Sequence, residues 1–86
     1  MVSQTVKVNN KTGLHARPAA LFSKLANTFP CEVSVEKDGK TINAKSILGV
    51  LSLAIVMESE ITIITDGENE EVALAKMVEF VKNLDE

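Results

Sequence analysis

Tryptophan and tyrosine are absent from this 86-residue chain, and phenylalanine occurs only three times. With 45% hydrophobic residues the chain can still build a core, but an aliphatic one. No aromatic platform is left on which single-stranded bases could stack. There is no basic excess either: the formal net charge is −3 and the charges are spread along the chain. That argues against nucleic acid as the main partner, because a phosphate backbone calls for a concentrated basic surface. Cys31 is the one cysteine, so no disulfide can close within the chain. Its neighbours Pro30 and Glu32 supply no base, and it reads as a small residue at a strand start. A lone histidine and a lone thiol do not make a metal site. No nucleophile–base–orienter set for hydrolysis stands out. The longest apolar stretch, around Leu48 to Met57, is broken by Gly49 and Ser52 and is too short to cross a bilayer. Met1-Val2-Ser3-Gln4 lacks the basic region and apolar run of a signal peptide. The expectation is a soluble cytoplasmic protein forming one small domain over residues 1–86, with its function on an exposed patch.

What is present is a regular alternation of periods. Val2, Val6 and Val8 alternate with polar residues as in a half-buried strand, and Asn9 to Gly13 has turn composition. From Ala16 the spacing of Pro18, Leu21, Phe22 and Leu25 becomes helical, ending near Asn27. Val33 and Val35 begin a second alternating run, and Asp38-Gly39 marks a tight hairpin into Thr41-Ile42-Asn43. Ser46 suits the N-cap of a short helix from Ile47 to about Ala54. Glu60 to Thr65 forms another strand. Asn69 or a neighbour then caps a final helix striped by Leu74, Met77, Val78, Val81 and Leu84. The order is βαββαβα. Alternation in each strand implies a sheet with one dry and one wet face. The expected fold is therefore α+β: a two-layer, open-faced β-sandwich whose four-stranded, mainly antiparallel sheet is covered on one face by three helices.

The only histidine, His15, falls where the irregular segment runs into the first helix, within Thr12-Gly13-Leu14-His15-Ala16-Arg17-Pro18-Ala19. A helix N-terminus offers unpaired backbone N–H groups and a partial positive charge. Neutral imidazole, with a reference pKa of about 6.5, is a nucleophile near physiological pH. Arg17 brings a permanent cation shaped to grip oxyanions. The amides of Ala16 and Arg17 can point at an anion carried by the imidazole, and Pro18 fixes the first turn at no cost in donors. On residue chemistry alone, an isolated histidine at such a place is better explained as an ordinary surface or capping residue.

The segment Gly13-Leu14-His15-Ala16-Arg17-Pro18-Ala19 resembles the active-site signature of the HPr family, histidine-containing phosphocarriers of the bacterial phosphoenolpyruvate:sugar phosphotransferase system. A second stretch, Lys45-Ser46-Ile47-Leu48-Gly49-Val50-Leu51-Ser52-Leu53, resembles the regulatory serine segment of that family, and the likeness spans essentially the whole chain. The resemblance implies a carrier rather than a turnover enzyme. His15 would accept a phosphoryl group, on Nδ1 in the family, from the general phosphotransferase enzyme that uses phosphoenolpyruvate. It would pass the group to sugar-specific permease components. Arg17 and the amides of Ala16 and Arg17 would stabilise the phosphate. No bound cofactor or metal is implied for the carrier, although the upstream enzyme uses magnesium.

Ser46 matches the serine that a kinase/phosphorylase modifies with ATP in Gram-positive relatives; as a plain N-cap it is already explained. At ~100° per residue, the apolar side chains from Leu53 through Val50, Ile47 and Leu51 to Leu48 cover roughly 220° of their helix, more than a core-facing stripe requires. Some should be exposed, and exposed apolar clusters mark binding patches. By the resemblance, partners dock on Ile47, Leu48 and Leu51 with Ala20 and Lys24 of the first helix. Ala20 stands where many relatives have threonine and Ala54 where glycine is common, and Met57-Glu58-Ser59 lacks a glycine often found there. The alternative is a regulatory binding module that acts through phospho-Ser46 on a catabolite-control transcriptional regulator, His15 being incidental. A paralogue of this fold without the histidine is regulatory only. A carrier devoted to nitrogen regulation or to dihydroxyacetone phosphorylation would share the chemistry. A monomer without membrane insertion suits a carrier that shows one patch to several partners.

Overall fold

The computed structural model describes residues 1–84. Its elements are β1 (Val2–Lys7), α1 (Ala16–Ala26), β2 (Glu32–Lys37), β3 (Lys40–Asn43), α2 (Ile47–Ser52), β4 (Glu60–Asp66) and α3 (Glu70–Lys82). The strands form one sheet in the order β1-β4-β2-β3, and every pairing is antiparallel. The last strand thus inserts between the first two, so β1 and β2 are both held by β4. Asp38 and Gly39, at φ 53° and 85°, form the two-residue turn whose left-handed geometry suits the twist of β2 and β3.

Alternation sorts the two faces. Val6, Val33, Val35, Ile61, Ile63 and Thr65 are buried on the dry face. On the wet face the Thr5 and Thr62 hydroxyls lie 2.9 Å apart across the β1–β4 pair. The helices close over the dry side: Ala19, Phe22 and Ala26 of α1 and Ala73, Met77, Val78 and Val81 of α3 are buried in one core. Phe22 meets Phe80 with ring centroids 5.8 Å apart. Side chains of the size of Phe22 or Ile61 contribute about 1.5–3 kcal/mol each on full burial. Cys31, also buried, precedes β2 and packs against Gly67. This is the open-faced sandwich expected from the patterning.

Two local expectations change. The short helix ends at Ser52 with Leu53 as its C-cap, before Ala54. Ala54 has φ 51°, a left-handed turn that cannot continue a helix. At the last helix Asn69 is the N-cap by position, but its φ is 61° and its side chain makes no capping bond. Glu70 works there instead: its carboxylate accepts the Gly67 N–H at 2.9 Å, while its carbonyl accepts the Thr65 hydroxyl at 2.7 Å. Among the described residues no helix is long and apolar enough to cross a membrane.

Candidate functional site

His15 is the N-cap of α1, with φ −79° and ψ −168°, and its carbonyl accepts the first helical bond, from the Ala19 N–H at 2.7 Å. The amides of Ala16 and Arg17 precede that bond and lie outside the ladder of the helix, in the position that favours an anion. The imidazole makes no capping bond of its own and is exposed. Arg17 is exposed too, whereas Pro18 and Ala19 turn inward.

The loop before His15 is held from two sides. Gly13 has φ 61° and backs so closely onto the segment after α2 that a Cβ there would stand 2.3 Å from the Ile55 carbonyl oxygen. Only glycine fits both demands. Leu14, buried, donates its N–H to the same Ile55 carbonyl at 3.1 Å. From the other side Asn10, 5% exposed, donates its side-chain amide to the Gly13 carbonyl at 2.8 Å. The exposed imidazole thus stands on a fixed backbone.

Ser46 is the N-cap of α2, its hydroxyl accepting the Gly49 N–H at 3.1 Å. It lies at the far end of α1. Asn27, the α1 C-cap, donates to the Lys45 carbonyl at 3.0 Å, and the Lys45 ammonium donates to the Phe29 carbonyl at 2.9 Å. Eleven helical residues separate the His15 end from this junction, roughly 16 Å at 1.5 Å per residue. Ser46 and His15 therefore stand at opposite ends of α1.

The helix that Ser46 caps exposes apolar side chains. Leu48 is 80% exposed, Ile47 44% and Leu51 38%, whereas Val50 and Leu53 of the same segment face the core. Ala16, Ala20 and Lys24 follow one i,i+4 row along α1 toward Asn27; Lys24 is exposed and Ala20 half-buried. Two exposed residues escaped the periodicity argument. Val56, 58% exposed, has its backbone against Gly13, and Met57 follows it. Their only sequence signal is apolar character inside a turn. The lysines that hold α2 were equally silent: Lys37 reaches over from β2 to donate to the Leu53 and Ala54 carbonyls, each at 3.2 Å.

No group of histidine, cysteine and carboxylate residues able to hold a metal occurs among the described residues. A groove of about 370 Å³ between α1 and α3, lined by Pro18, Leu21, Leu25 and Phe80 among others, excludes His15. The histidine stands on open surface, which suits a group handed between proteins.

A family model described as the PTS HPr component phosphorylation site matches residues 2–83. The chain belongs to the HPr family. It is 54% identical over 82 residues to the HPr-like protein Crh of Bacillus subtilis, covering 95% of this chain and 96% of Crh. The phosphocarrier HPr of Bacillus anthracis superposes with a TM-score of 0.90 at 52% identity, covering 93% of this chain and 95% of that one. HPr of Thermoanaerobacter tengcongensis gives 0.92 at 43% identity over 95% and 92%. A crystal structure of the Bacillus subtilis Crh, described as an intertwined dimer with a swapped domain, gives only 0.77 at 54% identity over 95% and 94%. Among these structures the TM-score does not follow sequence identity.

Proposed function

We propose that this HPr-family protein is a phosphocarrier, with His15 as the acceptor and donor of the phosphoryl group. The observation that carries the reading is an exposed imidazole, not engaged in capping, at the N-terminus of a helix whose first amides precede the hydrogen-bond ladder. The family membership supports it. An imidazole nitrogen attacks the phosphorus of the phosphorylated general enzyme in line; the new P–N bond forms as the bond to the donor breaks. Transfer of this kind depends on positioning and charge stabilisation more than on covalent help. Arg17 and the amides of Ala16 and Arg17 meet the charge of the phosphoryl oxygens. A helix N-terminus supplies about 0.3–1 kcal/mol toward an exposed anion, a scale that suits a reversible step.

The protein is then a substrate of phosphotransferase enzymes and not a turnover catalyst. It needs no bound cofactor: phosphoenolpyruvate enters through the general enzyme, and sugar-specific permease components take the group onward, in the cytoplasm. Both partners dock on Ile47, Leu48 and Leu51 with Ala20 and Lys24. A kinase using ATP places a second phosphate on Ser46, adding about −1.5 to −2 charges beside that face. The helix N-terminus tolerates the charge, so the fold survives while acidic partners bind less well.

A second reading is favoured by the 54% identity to Crh: a regulatory module in which phospho-Ser46 engages a transcriptional regulator and His15 is incidental. Incubation with phosphoenolpyruvate and the general enzyme separates the two. The carrier gives an acid-labile, base-stable phosphate that His15→Ala loses. An unlabelled wild-type protein would sink the carrier reading, and label that persists in His15→Ala would sink the site assignment. ATP with the serine kinase should give acid-stable phosphate on Ser46, and none would leave Ser46 as a cap only.

A further inference from the structure

Asn10 is a polar side chain in an apolar place. It is 5% exposed, at the start of the turn that follows β1. Its side-chain amide nitrogen donates to the Gly13 carbonyl at 2.8 Å, and its main-chain carbonyl accepts the Gly13 N–H at 3.3 Å. Burying an amide is unfavourable unless its hydrogen bonds are kept, so the residue must be judged by what those bonds hold.

They fall on the two peptide planes that flank Gly13, and the side-chain bond holds the second of them. The Gly13 carbonyl and the Leu14 N–H belong to the same rigid unit. The carbonyl is bound by Asn10, and the N–H is bound by the Ile55 carbonyl at 3.1 Å. With both poles fixed the plane cannot rotate. Leu14 is buried and gives no slack, so the direction in which the backbone delivers His15 to the start of α1 is set by this clamp. Gly13 at φ 61° makes the clamp necessary, because glycine is the residue whose flanking planes rotate most freely.

We propose that Asn10 is a positioning residue for His15: by locking the Gly13–Leu14 peptide it holds the imidazole in line with an incoming phosphoryl group and beside the helix amides. The proposal rests on the carrier reading of His15 for its function, and on the clamp alone for its structure. Asn10 touches no phosphate. Its effect is on the rate of transfer and not on docking, since the face formed by Ile47, Leu48 and Leu51 belongs to other elements.

The test uses Asn10→Leu, which fills the buried site with a branched side chain of similar shape but removes the donor, and Asn10→Asp, which keeps the shape but places an acceptor against the Gly13 carbonyl. In transfer from the general enzyme, kcat should fall roughly tenfold to a hundredfold, as expected for a misplaced reacting group, with KM unchanged within about twofold. Labelling by phosphoramidate, a small donor that needs no partner protein, should slow in parallel. Unchanged kcat in a folded variant, or a raised KM at constant kcat, would overturn the proposal. If the general enzyme fails to label the wild type, the carrier reading falls, while the phosphoramidate rates still decide the role of Asn10. Should neither variant fold, hydrogen exchange in the wild type decides: the Asn10 side-chain amide and the Leu14 N–H should both be protected. An Asn10 amide that exchanges as freely as an exposed one would overturn the clamp.

Discussion

Gly13, Ala54 and Glu58 all have positive φ, at 61°, 51° and 71°, but only Gly13 is of the type that takes this conformation freely. The same exchange between glycine and alanine therefore acts in opposite directions at neighbouring points of one structural unit. In Gly13→Ala the new Cβ meets the Ile55 carbonyl oxygen at 2.3 Å and the Val56 Cα at 2.7 Å. Neither backbone atom can yield without moving the His15 loop. With the left-handed penalty added, the loss should be at least ~2 kcal/mol, and phosphoryl transfer should fall with it. Ala54→Gly and Glu58→Gly relieve a penalty of about 1–2 kcal/mol each, part of which the greater freedom of glycine in the unfolded chain takes back. Each should stabilise by about 0.5–1 kcal/mol, read as a higher urea midpoint at unchanged slope. A lower midpoint in either glycine variant would show that the turn is not strained at that residue.

At the scale of elements, α2 is too short to stand alone, because isolated helices of fewer than about 12–15 residues are marginal in water. It is fixed at both ends. Ser46 caps its N-terminus and Lys37 binds the Leu53 and Ala54 carbonyls at its C-terminal end. Ser46→Ala should cost about 0.5–2 kcal/mol, whereas Ser46→Asp keeps an acceptor for the Gly49 N–H and should stay near wild-type stability. If Ser46→Asp also keeps normal transfer from the general enzyme, inhibition by negative charge at this position is wrong. The start of α3 gives a pH dependence. The Glu70 carboxyl is held below its usual range by the Gly67 N–H first and the N-terminal ammonium second. Its contribution is therefore present above the unfolded carboxylate value and is lost as the pH falls through the depressed folded value. The Met1 ammonium, raised chiefly by its hydrogen bond to Glu70, has the opposite sign: its contribution is lost as the pH rises through the raised value. Glu70→Gln should flatten both limbs in urea melts run across pH. Curves that keep the wild-type acid limb would place that titration elsewhere.

For the whole molecule, what could be read from the sequence was what is local in it. His15, Arg17 and Ser46 sit in contiguous motifs, and the periods of the strands and helices gave the two layers. The order β1-β4-β2-β3 was not legible, because no periodicity says which strand lies beside which. Asn10 and Lys37 were missed because they act by reaching to partners that the fold alone brings near. Strand order also bears on the expected monomer. β1 is an edge strand whose one strand partner is β4, so its exchange between two chains is one route to a swapped dimer, a form described for Crh. In this chain that route means opening the connector from Val8 to Leu14. Opening it breaks the bond from Val8 N–H to the Ser59 carbonyl at 2.8 Å, the bond from Glu58 N–H to the Val8 carbonyl, and the Asn10–Gly13 pair. The turn also needs Gly13 left-handed, a shape that an extended exchange arm gives up. Those contacts favour the closed chain, and sedimentation at micromolar concentration should give one species near 9.3 kDa. A species of twice that mass that persists on dilution would show that the connector opens. His15 would then be carried on a loop whose geometry depends on a second chain.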